Sequence, residues 1–397
     1  MRLSQRVGRI APSATLALNA QAKAMKAAGE DVVSLTAGEP DFDTPPHIVE
    51  AIREALARGE TRYTAVPGVP ELREAIARRY VDLGVDARAE QTVVTTGGKQ
   101  AIFNAMLCLL EPGDEVILTA PYWLSYADIV RFCGAEPVVL PTRDEDGFRL
   151  NPEQLEEALS ERTRMLVLNS PSNPTGAVYE DTAMKALLAP LRGRPEVFLM
   201  FDEIYDRLVY EARFASPLEV APEFAERTVV VNGGSKAYAM TGIRIGWALG
   251  PEPLIKAMTK LQGQSTSNAS APSQYGLLAA LTGDQAPVET MRLAFQTRRD
   301  AALTDIAGIE GLSCTRPEGA FYLFPRVSAF IGKKTPEGRT IAGATDLAAH
   351  LLATEKLVVV PGDPFGSDQH VRLSFAVAGR SLKQGLNRLG RALDALN

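Results

Sequence analysis

Short apolar runs alternate through the middle of this chain with stretches whose apolar residues recur every three or four positions. Residues 92–96, 115–119, 137–140, 165–169, 197–201 and 228–232 are runs of the first kind, rich in valine, isoleucine and leucine. They read as buried strands. Between them, residues 99–110, 126–133, 152–160 and 181–191 fit helices. Repeated strand–helix–strand units specify an α/β fold with a central, mostly parallel sheet sandwiched by helices. In such a sheet the ligand cleft opens beyond the carboxyl ends of the strands. Chemistry is therefore expected on the residues that follow each run.

The flanks carry a different pattern. Residues 13–29 read as a helix stopped by Gly29, and residues 291–309, 345–355 and 381–396 as three more. Residues 319–325, 357–360 and 371–375 read as strands. This is α+β in character and predicts a smaller domain. The expected division is a large domain over 46–285, with 1–45 and 286–397 forming the small domain and its N-terminal segment. A length of 397 residues allows two or three domains, the motifs favour two, and no internal repeat or low-complexity segment is visible.

Composition narrows the partners. The chain is 46% hydrophobic and 23% charged, with a net charge of -6. An acidic balance argues against nucleic acid, whose phosphates need a basic surface. No run is long enough to span a membrane, and no apolar segment follows the basic residues near the start, so no signal peptide is expected. Three cysteines and three scattered histidines (His47, His350, His370) suggest neither a disulfide framework nor a metal site. A cytoplasmic protein is the expectation.

Five clusters carry candidate chemistry. Thr95-Thr96-Gly97-Gly98-Lys99-Gln100 ends a strand and opens a helix, where free amides and a partial positive charge suit phosphate; a plain strand-to-helix turn reads the same way. Asp202-Glu203-Ile204-Tyr205 places a carboxylate at a buried strand end, either as a helix cap or as a fixed anion for a cationic ligand atom. Gly233-Gly234-Ser235-Lys236 presents a lysine that is either a surface group or, if desolvated, a nucleophile; Arg244 follows closely. In the fourth, residues 169–176, two prolines stiffen a loop that holds Asn169 and Asn173. Last, Arg372 lies within an apolar strand, as a structural ion pair or as a fork awaiting a carboxylate. A nucleophilic lysine, an acid for a ring nitrogen and a phosphate cup together match the demands of pyridoxal phosphate.

Over nearly its whole length the chain resembles a fold-type I, pyridoxal-phosphate-dependent aminotransferase of class I. It is similar to the bacterial aspartate and aspartate/prephenate aminotransferases that carry the segment TAGEPDFDTP, here residues 36–45. The other matching signals are Tyr63 in Arg62-Tyr63-Thr64, residues 97–100, Pro121-Tyr122-Trp123, residues 169–176, 202–205 and 235–246, and Arg372. The resemblance implies that Lys236 forms the Schiff base and moves the α-proton, that Asp202 pairs with the pyridine nitrogen, and that Tyr205 and Asn173 bond the ring oxygen. It implies that Trp123 stacks on the ring and that Gly98, Lys99, Ser235 and Arg244 hold the phosphate. Tyr63 would reach the phosphate of a neighbouring subunit, making a homodimer necessary. Gly38, Asn173 and Arg372 would hold the substrate α-carboxylate. Gly233 and Gly234 depart from the family pattern, since Gly233 lacks a hydroxyl found in some relatives, and loosened phosphate binding is the expectation.

For the distal carboxylate the resemblance points to Lys99, with Ser13 and Thr15 nearby. It implies ping-pong transfer between L-aspartate and 2-oxoglutarate. A prephenate, aromatic or alanine aminotransferase remains an alternative, as does a carbon–sulfur lyase on the same scaffold. A transcriptional regulator is disfavoured, because the 36–45 segment begins too early for a preceding DNA-binding module.

Overall fold

The computed structural model describes residues 3–10 and 14–397, and of residues 14–17 and 19 it describes only the backbone. The strands among the described residues are β1 (Val33–Ser34), β2 (Thr92–Thr95), β3 (Glu115–Ala120), β4 (Glu136–Pro141), β5 (Thr163–Asn169), β6 (Phe198–Asp202), β7 (Thr228–Gly233), β8 (Gly246–Leu249), β9 (Tyr322–Leu323), β10 (Leu357–Val358), β11 (Val360–Pro361) and β12 (Val371–Ser374). Seven form one sheet in the order β2-β8-β7-β6-β5-β3-β4. The β4, β3, β5, β6 and β7 strands run parallel, as the repeated strand–helix units require. The exception is β8, antiparallel to both neighbours. Its four residues follow a glycine-rich turn and carry no period of their own, so the pattern of the sequence does not announce it.

Alternate residues of the central strands enter two separate cores. Val229 and Val231 pack on one face with helix Gly98–Leu109 and helix Glu252–Gly263, through Ala101, Ile102, Ile255 and Met258. Val230 points the other way, to Ile76, Met184 and Leu277 of helices Pro70–Val81, Asp181–Leu188 and Ala271–Thr282. Burial on both faces explains why these strands read as unbroken apolar runs. At the edge, β4 is only partly covered and holds Pro137 and Pro141, residues an edge strand tolerates.

A third core draws on both ends of the chain. It joins Val33 and Leu35 to Phe295, Phe321, Leu351, Leu373, Leu386 and Leu393. Helix Gly379–Asp394 lays its leucines into it, and β1 pairs with β10. The strand expected over 319–325 shortens to two paired residues, because Ala320 takes a left-handed turn at φ 57 just before it. The strand expected over 357–360 divides: β10 pairs with β1, whereas β11 pairs with β12. The three cysteines are free and half-buried. Among the described residues, no helix is long and apolar enough to cross a membrane.

Candidate active site

Strands β5, β6 and β7 end at Asn169, Asp202 and Gly233, and the loops beyond them converge with the start of helix Gly98–Leu109 around a cavity of about 840 Å³. Its lining includes Gly38, Gly98, Lys99, Trp123, Asn173, Asp202, Tyr205, Ser235, Lys236, Arg244 and Arg372. Eleven residues separated by up to 334 positions are thus brought together. Tyr63 is not among them and is 90% exposed. Ser13 lies outside the described residues, as does the side chain of Thr15.

Asp202 closes β6 with both carboxylate oxygens occupied. Its Oδ2 accepts from the Tyr126 hydroxyl at 2.6 Å and its Oδ1 from the Ile204 amide at 3.1 Å. The chain beyond Asp202 forms a turn and not a helix, so the expected helix cap is replaced by a turn bond, while the buried anion is present. Burial pushes its pKa up to about 6, and the Tyr126 bond opposes the rise. Lys236 sits in the short helix Gly234–Ala237 after β7 and donates from Nζ to the Gly38 carbonyl at 2.5 Å. Burial, then Arg372 and Arg244, bring its pKa down to about 8, against the pull of Glu39 and Asp202. This amine loses its proton more readily than an ordinary lysine, as a nucleophile or base needs.

Arg372, on β12, is 3% exposed. It donates from Nη1 to Asn173 Oδ1 at 3.0 Å and from Nη2 to the Thr36 carbonyl at 3.2 Å. The rings of Tyr322 and Phe365 lie 4.5 and 5.0 Å from its guanidinium carbon. Its Nε has no partner, and among the described residues no carboxylate lies within ion-pair distance of it. A structural ion pair is excluded on that ground. A buried guanidinium is costly unless a counter-ion arrives, and here it faces the cavity. Asn173 is held in turn by Asn169, whose Oδ1 accepts from the Asn173 amide at 2.8 Å.

At the other end, Arg244 adopts a left-handed backbone at φ 57 and donates from Nη1 to the Thr241 carbonyl at 2.7 Å. Its guanidinium lies over Gly97, where φ is +82 and an added Cβ would come within 2.5 Å of Nη2. The positive φ favours glycine there, and an added Cβ would displace the end of the Arg244 side chain. Gly233 answers to packing too: a Cβ would lie 2.9 Å from Gly246 Cα and from the Ile245 carbonyl. The missing hydroxyl at position 233 thus reflects close strand contact. Lys99 places Nζ 4.7 Å from the centroid of the Trp123 ring, and burial first, then Arg244, lowers its pKa. Charge on Lys99 favours an anion nearby.

Two contributors escape sequence reasoning. Tyr126 buttresses Asp202 and meets Trp123 edge-on at 5.2 Å. Tyr322 shares a 3.0 Å hydrogen bond with Tyr205 and lies under Arg372. Either would have needed knowledge of which strand ends meet. The free helix start beside Arg244, the buried acid, the softened lysine and the unpaired guanidinium fit a cofactor bearing a phosphate, a basic ring nitrogen and an aldehyde, together with a carboxylate substrate.

Residues 30–389 match the family model described as aminotransferase class I and II. The chain is 45% identical over 396 residues to the aspartate aminotransferase of Rhizobium meliloti (strain 1021), covering 99% of this chain and 97% of that one. It is 45% identical over 395 residues to the aspartate/prephenate aminotransferase of Thermus thermophilus, covering 98% of each. Among solved structures, the aspartate aminotransferase from Rhizobium meliloti superimposes with a TM-score of 0.97 at 45% identity, covering 100% of both chains. That of Thermus thermophilus with maleate superimposes with a TM-score of 0.92 at 44% identity, covering 99% of this chain and 100% of the other.

Proposed function

The chain belongs to the class I and II aminotransferases, and on that footing we propose that it uses pyridoxal phosphate to transfer the amino group of L-aspartate to 2-oxoglutarate, giving oxaloacetate and L-glutamate. The observation that carries the substrate reading is the pair of cations at the cavity, the carboxylate-free Arg372 and the Trp123-backed Lys99. They offer one site for an α-carboxylate and another for a distal one.

When bound, pyridoxal phosphate supplies an electron sink that lets the hydrogen on the substrate α-carbon leave as a proton. Gly98 and Lys99 amides, Ser235 and Arg244 would hold its phosphate, and Trp123 its ring face. Asp202, its ionised form supported by the Tyr126 hydroxyl and the Ile204 amide, would hold a proton on the ring nitrogen. Tyr205 and Asn173 would donate to the ring oxygen. Lys236 would carry the cofactor and, once released, its neutral Nζ would take the α-proton. Arg372 and the Gly38 backbone would orient the α-carboxylate, and Lys99 the distal one, with Ser13 and Thr15 assigned to the same end. A covalent relay of this kind runs by ping-pong kinetics.

The same reading makes the enzyme a cytoplasmic homodimer. Exposed Tyr63 would serve the phosphate of the neighbouring subunit. The chain would divide into a domain over 46–285 and a smaller one from 1–45 and 286–397, which share one core across both ends. A second amino acceptor, the 2-oxo acid prephenate, is supported by the apolar residues Ile102, Phe103, Leu124, Ile129 and Phe132 along the cavity. They suit a ring that still carries a second carboxylate.

A panel of amino donors with 2-oxoglutarate and oxaloacetate as acceptors tests the reading. Aspartate is expected to turn over fastest, and fast turnover of phenylalanine with none of aspartate would overturn it. Lys236→Ala protein is expected to lose the absorbance of covalently held cofactor and nearly all transamination.

A further inference from the structure

One loop at the cavity joins both ends of the site. The Thr36 carbonyl accepts from Arg372 and the Gly38 carbonyl from Lys236 Nζ. The next residue, Glu39, accepts at Oε2 from the Thr241 hydroxyl at 2.7 Å. Thr241 opens the 3-10 turn Thr241–Ile243, and its own carbonyl accepts from Arg244 Nη1 at 2.7 Å. Downstream the loop is pinned twice more, by Thr44 to the Ala239 carbonyl at 2.7 Å and by Arg298 to Asp41 at 2.7 Å. A run of bonds therefore leads from Arg372 to the arginine at the helix start, and Glu39 is the acidic side chain that links the loop to the 241–244 turn.

The charges around Lys236 are unequal. Arg372 from β12 and Arg244 from the turn disfavour its cation, while Asp202 from β6 and Glu39 from the loop favour it. Asp202 is committed to Tyr126 and the Ile204 amide. Glu39 is exposed and bonded to a neutral hydroxyl, so its charge is not cancelled by a paired cation.

We propose that Glu39 is a positioning residue of the active site: its carboxylate fixes the 241–244 turn through Thr241 and sets a negative charge toward Lys236. This deepens the aminotransferase reading and rests on Lys236 bearing the cofactor. Two separable effects follow. The hydrogen bond holds Arg244 through the Thr241 carbonyl, and so retains the cofactor phosphate. The charge stabilises a proton on the Lys236 nitrogen, so removing it lowers the pH at which that nitrogen gives its proton up. Solvent at the exposed carboxylate limits the second effect to about 0.3–1 pH unit.

Two substitutions divide these effects. Glu39→Gln removes the charge and keeps an oxygen that accepts from Thr241. Thr241→Val removes the hydroxyl and keeps the charge. Holoenzyme of each is titrated with pH by the absorbance of the lysine-bound cofactor, and cofactor release is followed by fluorescence after dilution. Glu39→Gln is expected to lower the titration midpoint by about 0.3–1 unit with release near the wild-type rate. Thr241→Val is expected to speed release about threefold or more with the midpoint held. An unshifted midpoint in Glu39→Gln, or unaltered release in Thr241→Val, overturns the proposal while leaving the aminotransferase reading intact. Wild-type protein lacking a lysine-bound absorbance overturns both together. A merely structural role for Glu39 would lower thermal stability and leave the midpoint where it is.

Discussion

The hydroxyl of Tyr126 lies 2.6 Å from Oδ2 of Asp202, with both side chains buried. Helix Ser125–Cys133 thereby reaches across the sheet end to the carboxylate assigned to the ring nitrogen. The bond favours the ionised acid and opposes the desolvation that raises its pKa to about 6. In Tyr126→Phe protein the Asp202 pKa rises further, and less of the acid is ionised at neutral pH. The acid limb of the kcat/KM profile against pH is expected to move upward by about one unit. An acid limb unchanged from wild type would break the link between the two residues.

Arg372 separates function from stability. Replacing it with leucine removes the proposed partner of the α-carboxylate, and kcat/KM for aspartate is expected to fall by about 10³-fold or more. Its buried charge has no carboxylate to offset desolvation, so the fold loses little by its removal. Thermal melting of Arg372→Leu apoprotein is expected within a few degrees of wild type. A collapse in melting temperature would assign the arginine to the fold.

Lys99 is the residue proposed for the distal carboxylate. Lys99→Ala is expected to lower kcat/KM for aspartate about 100-fold, through the loss of one charged contact of about 2–3 kcal/mol. Turnover of alanine or phenylalanine, which lack that carboxylate, is expected to change only a few-fold. Equal losses on all donors would move Lys99 to the cofactor alone.

Tyr63 tests the shared site. Lys236→Ala and Tyr63→Ala proteins are each expected to be impaired. Mixed and allowed to exchange subunits, they form heterodimers in which one site has both Lys236 and Tyr63. Activity above the sum of the separate proteins is expected, and a strictly additive mixture would place Tyr63 outside the partner's site.

Much of this was legible beforehand, for identifiable reasons. Lys236, Asp202, Asn173 and Arg372 each follow or sit within an apolar strand, so both the element and the exception to it appear in a short window. Tyr126 is a different case. Its helix is readable, but its partner is 76 positions away, across two crossovers that no local period encodes. The same holds for Tyr322 beneath Arg372 and for β8, whose pairing with β2 and β7 depends on chain reversal after Arg244. Sequence periodicity reports what a segment buries, and contact between distant segments decides what its polar atoms meet.

Gly246 lies so near its neighbours that a single methyl there would come 2.5 Å from the Gly98 amide nitrogen, 2.7 Å from the Gly97 carbonyl carbon and 2.8 Å from the Asn232 carbonyl. With Gly233 beside it, a joint of bare backbone drawn from three stretches of chain backs the helix start at Gly98. Such a joint has almost no alphabet to vary in. The end near Lys99 is walled by side chains such as Leu124, Ile129 and Phe132, whose volume and polarity can be exchanged one at a time. Adaptation to new substrates therefore has one open direction in this molecule, with the glycine joint as its fixed pivot.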